Sequence, residues 1–261
     1  MTALTHTTSP ISRPTVRRIG MGDLRAALAA GFADFRALRG DLLLIGLIYP
    51  VAGVLASAVA LNYSLLPMVF PLAAGVSLLG PAVAVGFYEL ARRREQGEDA
   101  SWRNYFDAFR GRALPSLAVI TLALFVLYMA WLVAAYTLYD NVVGETYSLT
   151  LGEFLRRLFT TREGWELIVV GNLIGLGFAV AAFAISVVSF PLLVDRPVNA
   201  WTAVETSIRA VARNPGTMAL WGLIVAALLA LGSIPLFIGL AVAAPVLGYA
   251  TWHLYTRVVE P

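Results

Sequence analysis

The chain has 261 residues, of which 59% are hydrophobic and only 13% charged, about half the roughly 25% of a soluble domain, and its mean hydropathy is +0.77. Its net charge of +3 comes from 19 basic residues, all of them arginine, against 16 acids, and it has no cysteine. The composition is that of a membrane protein, and it excludes disulfides, thiolate metal sites and cysteine nucleophiles.

Residues 1–20 read as a disordered tail rich in Thr, Ser and Pro, and the first 40 residues carry neither the apolar core nor the cleavage site of a signal peptide. Residues 21–261 then read as one membrane domain. A bilayer core of about 30 Å needs about 20 helical residues. Low-charge stretches of that kind occur at 42–61, 65–90, 114–138, 167–194, 217–231 and 234–258, so six spans are expected. The last two come from one uncharged run, 217–252, which as a single helix would reach about 54 Å and overshoot the membrane. The "LGSIP" at 231–235 is the expected turn, because Gly and Pro punctuate helices. With both termini inside, only Arg156, Arg157 and Arg162 of the 19 arginines fall outside, which predicts cytoplasmic termini in a bacterial inner membrane.

Three segments share a pattern: "ALAAGFADFRALRGDLLLIGLI" at 26–47, "SWRNYFDAFRGRALPSLAVITL" at 101–122 and "AWTAVETSIRAVARNPGTMALWGLI" at 200–224. In each, apolar residues recur at helical spacing, namely Leu28, Phe32 and Phe35, then Trp102, Phe106 and Phe109, then Trp201, Val204 and Ile208. Each stretch carries "FR" or "IR" and leads into a span. The pattern predicts an all-α integral membrane protein of three parallel repeats, about 24–92, 100–194 and 198–258. Each repeat is an interfacial amphipathic helix followed by a two-span hairpin. Trp102, Phe106, Phe109, Arg110, Trp201 and Arg209 are expected at the lipid boundary, aromatic groups in the headgroup zone and guanidinium groups reaching phosphate. A periplasmic amphipathic insertion, 140–166, interrupts the middle repeat. In it Thr150 and Glu153 have capping-box spacing, Phe154, Leu155, Leu158 and Phe159 share a face, and Arg156 and Arg157 lie opposite.

Polar residues near the spans are few. Glu89 and His253 each come eight residues after a proline, and Asp195 holds a comparable place at the end of the fourth span. With Asn172 they are the candidate functional or pocket residues, since ionisable groups at membrane depth are suspects by default. "TWHLYTR" reads as an aromatic belt with Trp252, Tyr255 and Arg257 as anchors. Gly171 and Gly175 open a small-residue face suited to close helix packing. P-loop, GxSxG, HExxH and zinc spacings are missing, so no catalytic, cofactor or metal residue is assigned, and no nucleic acid is expected as a partner.

The block "SFPLLVDRPVNAWTAVETSIRAVARNPGTMALWGLIVAALLALGSIPLFIGLAVAAPVLGYATWHLYTRVV", with the preceding "GFYELARRREQGE", resembles a bacterial family of uncharacterised integral membrane proteins, domain of unknown function 2189. The resemblance covers nearly all of the chain after the tail and implies no activity. Some similar sequences carry the label of cytochrome c oxidase subunit I. That label implies six histidines for two haems and a copper, and this chain has only His6 and His253. The leading expectation is a non-catalytic accessory, assembly or scaffold protein, contacting membrane lipids and a larger inner-membrane complex. The alternatives are a small-molecule or lipid transporter with a pocket between the hairpins and, last, a membrane enzyme or single-histidine haem protein.

Overall fold

The computed structural model describes residues 14–46, 80–144, 151–235 and 237–261. They form helices α1 (Met21–Gly46), α2 (Gly80–Glu95), the 3₁₀ helix η1 (Trp102–Phe109), α3 (Leu114–Val143), α4 (Leu151–Thr160), α5 (Arg162–Ser186), α6 (Ser189–Asp195), α7 (Ala200–Arg213), α8 (Pro215–Ser233) and α9 (Leu240–Val258). Among the described residues the only strand-like pairing is one bridge, Val16 to Val259. The expected spans 42–61 and 65–90 lie mostly outside the described residues, as does Thr150 of the expected capping box.

Among the described residues three helical stretches are long and apolar enough to cross a membrane: Leu114–Val143, Arg162–Asp195 and Pro215–Ser233. Helix α3 explains how such a segment sits. Leu117, Ile120, Leu124, Tyr128 and Trp131 recur at three- and four-residue spacing and are buried, chiefly against α5, while Leu122, Val126 and Val133 on other faces remain exposed. Asp195 terminates the second stretch after a break at 187–188, where the Ser207 hydroxyl accepts the freed Val188 N–H at 3.1 Å.

Of the three segments that share a sequence pattern, two bend before the helix that follows and one does not. After η1 the chain turns through residues 110–113 and enters α3, with Pro115 in its first turn; after α7 it turns at Asn214 and enters α8 at Pro215. The first segment contains no proline, and α1 runs unbroken from Met21 through Gly46. Proline removes an N–H donor and clashes with the preceding turn, so it sets the start of a new helix. Gly40 alone is insufficient, since a mid-helix glycine costs only about 1 kcal/mol. The turn expected at 231–235 comes later: α8 continues through Ser233, α9 begins at Leu240, and between them Phe237 takes a left-handed backbone with φ 64°.

Helices α1 and α9 pack backbone to backbone. A methyl group on Gly31 would lie 2.5 Å from the Ala250 nitrogen, so the two backbones touch. Gly248 is held similarly against Phe87, at 2.7 Å, and Gly86 against the Tyr105 ring, at 2.3 Å. Gly171 and Gly175, expected to be the packing face, meet Leu138 and Trp131 at an ordinary 3.5 Å. They do pack on α3, but the large partners there leave room that a Cβ would fill without strain. Gly31→Ala should therefore cost about 1–3 kcal/mol and lower the melting temperature in detergent, whereas Gly175→Ala should leave it within error; equal effects would refute the α1–α9 contact.

The two ends of the described chain are clasped together. Arg17 N–H donates to the Val258 carbonyl at 2.7 Å and Glu260 N–H to the Thr15 carbonyl at 3.0 Å. The Thr15 hydroxyl donates to the Glu260 carboxylate, which Arg17 also approaches at 3.3 Å. Buried Asn214 ties the segment to the α7–α8 elbow, accepting from Ile19 N–H and donating to the Arg17 carbonyl, each at 2.9 Å. The Thr15 hydroxyl, then the Arg17 guanidinium, hold the Glu260 carboxyl below its ordinary value. A lowered folded pKa adds stability above the ordinary carboxylate range that is lost as pH falls through the lowered value. Amide protection at Arg17 and Glu260, corrected for intrinsic exchange, should thus decline below about pH 4; protection unchanged there would show that Glu260 does not hold the clasp.

Candidate functional site: a charged seam around the end of helix α2

Helix α2 ends in "ELARRRE", 89–95, and each charged side chain of it is engaged. Consecutive helical residues point about 100° apart, so three successive arginines cannot share one partner. Arg92 and Arg93 turn back one helical turn to Glu89. Arg92 grips it with two bonds, Nε to Oε2 at 2.8 Å and Nη2 to Oε1 at 2.7 Å, and Arg93 Nε adds a third to Oε1 at 2.7 Å. The Glu89 carboxylate holds the Arg92 guanidinium above its ordinary value. The arginines also sit in the last turn of the helix, where its dipole favours positive charge. The turn is closed by Gly97 at φ 70°, with Glu98 N–H bonded to the Arg93 carbonyl at 2.8 Å.

From this helix end, bonds reach three neighbouring elements, η1, α1 and α9. Arg93 Nη2 meets Asp107 of η1 at 3.1 Å, and Asn104 donates to the same Asp107 oxygen at 3.0 Å. Arg94 Nε lies 2.9 Å from Asp34 Oδ1 of α1, whose other oxygen is 2.7 Å from His253 Nε2 of α9. Glu95 accepts the Trp252 indole N–H at 2.9 Å. Nearby, the Tyr255 hydroxyl donates to Asp195 of α6 at 2.6 Å, and Arg196 Nε approaches that oxygen at 3.2 Å.

The seam brings together three of the four candidate residues, Glu89, Asp195 and His253, and gives each a partner. Asn172 is not among them: it lies on the exposed side of α5, its amide donating to the Ile168 carbonyl of its own helix at 2.7 Å. A polar side chain facing outward on an apolar helix satisfies itself locally, and Asn172 stands apart from the other three. The aromatic belt reading is also corrected. Trp252 is 2% exposed and Tyr255 1%; both are core residues that contact one another, with ring centroids 5.5 Å apart, because their polar tips reach Glu95 and Asp195 inside the seam. Arg209 is not free to meet phosphate either. Its Nη2 donates to the Pro14 carbonyl and the Thr206 hydroxyl, each at 3.2 Å, and Glu205 lies 4.0 Å away.

Trp102, Phe106 and Arg110 of the second segment are exposed, and Phe109 is half-buried with its ring 6.2 Å from Tyr105. Trp201 is 77% exposed, because the stripe of α7 that faces the core is small: Ala203, Thr206, Ser207 and Ala210. The first segment divides, Phe35 buried and Phe32 exposed. The residues that sequence reasoning missed are Asp34, Asp107, Glu95 and Asn214. Two of them had a signal. Asp34 and Asp107 stand two and three residues before the arginine of "FR" in the first two segments, where an acid on an otherwise apolar face needs a cation.

Asp34→Asn removes the charge shared by Arg94 and His253 and should cost about 2–3 kcal/mol, less than a fully buried pair because Arg94 is partly exposed. Glu89→Ala, which strands two guanidinium groups, should cost at least as much, and Asn172→Leu should be neutral. Melting of the detergent-solubilised variants tests this order; a neutral Asp34→Asn would show that the seam contributes no stability.

No curated protein and no solved structure matches the chain. The family match begins ahead of α2 and takes in the ELARRRE turn, η1 and Asp195, so four of the seam's acids, Glu89, Glu95, Asp107 and Asp195, lie within it, whereas Asp34 and His253 lie outside. Of the residues that carried the resemblance in sequence, it includes 86–98 and 189–195 and not the rest of the later block. Across residues 69–195 the chain is matched by the family described as Predicted integral membrane protein (DUF2189), the family its sequence resembles.

Proposed function

We propose that this chain is a non-catalytic assembly or scaffold protein of the bacterial inner membrane that holds a partner subunit alongside its apolar helices. In this reading it has six spans in three hairpins, each hairpin preceded by a boundary helix, with both termini cytoplasmic. The observation that carries the reading is the closure of the seam. Glu89 receives three guanidinium bonds, and Asp34 and Asp195 each bridge two partners. Groups so engaged are suited to fixing helices and poorly suited to exchanging protons with a substrate, which requires a base within reach of the reacting group and a matched pKa.

The proline elbows before α3 and α8 and the exposed Trp102, Phe106 and Trp201 support boundary helices at the seam end. A partner has a lateral surface available on α3, where Val119, Leu122, Val126 and Val133 are all more than half exposed. In lipid such faces associate through shape and close packing, because the hydrophobic effect gives no preference between a lipid tail and a leucine.

The test is a mild-detergent purification of the tagged full chain from its native membrane, with mass spectrometry and an absorbance spectrum on one sample. The expected result is an integral membrane subunit in stoichiometric amount, no Soret band, and loss of the partner in a Val126→Trp, Val133→Trp variant that still melts like the parent. A solitary chain, or a partner indifferent to the α3 variant, overturns the reading.

A further inference from the structure

Helix α4 and the start of α5 form an elbow whose angle is fixed by several independent contacts. Gly164 is pressed against the preceding turn: a methyl group there would lie 2.3 Å from the Leu158 carbonyl oxygen. The Thr161 hydroxyl caps α5 by accepting from Gly164 N–H at 3.0 Å and donates to the Arg157 carbonyl at 2.8 Å. The Trp165 indole N–H donates across the bend to the Phe159 carbonyl at 3.1 Å. The elbow is therefore rigid, and among the described residues the packing of α4 is chiefly on α5.

An apolar stripe crosses this elbow without interruption. Along α5, Trp165, Val169, Leu173, Leu176 and Val180 are each more than half exposed and recur at spacings of four, four, three and four, so they form one stripe down the apolar helix. At its upper end the stripe meets Phe159, 56% exposed, and Leu155, 42% exposed, on α4. Arg156, Arg157 and Glu153 are exposed on α4, and Arg162, Glu163 and Glu166 at the start of α5. The three arginines and three glutamates balance.

We propose that α4 is a membrane foot, lying in the headgroup boundary of the leaflet where α5 begins, with Leu155, Phe159 and Trp165 in the acyl edge. Continuity decides the occupant. A helix apolar enough to cross a bilayer presents this stripe to lipid, and the elbow fixes α4 so that its exposed apolar residues extend the same surface to the level of Trp165. Tryptophan favours that level, its ring apolar and its N–H polar. The arginines reach phosphate oxygens, while the balanced charge makes the contact independent of anionic lipid; electrostatic attraction adds affinity only where basic residues are in excess. This foot stands apart from whatever α3 holds.

The absence of cysteine makes the test direct. Leu155→Cys, Phe159→Cys, Arg156→Cys and Gly152→Cys of the full chain, each with a nitroxide label, are reconstituted in phosphatidylcholine vesicles and in vesicles containing phosphatidylglycerol, with Val169→Cys as the reference inside the bilayer. Accessibility to oxygen relative to a water-soluble nickel chelate should be several-fold higher at 155 and 159 than at 152 and 156, below that at 169, and the same in both lipids. Equal water access at all four positions overturns the proposal, as does exclusion of both reagents at 155 and 159, the signature of a packed protein partner. A depth that appears only with phosphatidylglycerol overturns the charge argument. If a labelled variant does not reconstitute, quenching by brominated lipid supplies a second reading: the fluorescence lost in Trp165→Phe must be the strongly quenched part, and an unquenched contribution overturns the foot.

Discussion

The carboxylate of Glu89 is the point on which the seam depends. It lies buried one turn from the end of α2, and a buried carboxylate without cations would be expelled or neutralised. Arg92 and Arg93 solve that locally, at i+3 and i+4. Having done so, they leave Arg93 able to hold η1 through Asp107 and free Arg94 and Glu95 to reach α1 and α9. One helix end thus joins elements distant in sequence. The pairing is specific because the three arginines point in different directions, and each finds an acid at the right bearing.

Close packing and the seam reinforce each other. Asp34 and His253 stand within hydrogen-bond distance because Gly31 and Ala250, about one turn before each, allow α1 and α9 to touch. Were the helices spread to the usual 8–10 Å separation set by larger side chains, the imidazole would lose the carboxylate. The same logic holds at η1, where Gly86 admits the Tyr105 ring and Tyr105 in turn donates to the Val83 carbonyl, setting η1 where Asp107 meets Arg93. Apolar close approach comes first and positions the charges; the charges then fix the register.

The way the sequence could and could not be read follows from the range of the forces. Spans at 114–138 and 217–231 were legible because a long uncharged run has one physical solution in a bilayer, and the helices run only a few residues further at either end. The elbows were half legible: the pattern shared by the three segments was plain, but that α1 continues without a bend depends on the lack of proline in its segment. Trp252, Tyr255 and Arg209 were read as boundary anchors because such residues at a span end usually are. Burial of the two aromatic residues among helices remote in sequence reverses that for Trp252 and Tyr255, while partly exposed Arg209 is drawn instead to the Pro14 carbonyl.

By itself the sequence determined that this chain carries apolar helices of membrane-spanning length, nearly where those at 114–143 and 215–233 lie, and that cysteine chemistry is excluded, because these depend on composition and on local period. Which face of each helix is covered was left to the tertiary structure. Glu89, Asp195 and His253 stood out in sequence as lone polar groups near apolar spans; only packing showed that two of them are closed by partners more than fifty residues away, Tyr255 for Asp195 and Asp34 for His253. The physical reason is that a charge near a membrane can be satisfied by water, by lipid phosphate or by another side chain at nearly equal cost, and the choice among them is made by which helices approach closely enough to exclude the other two.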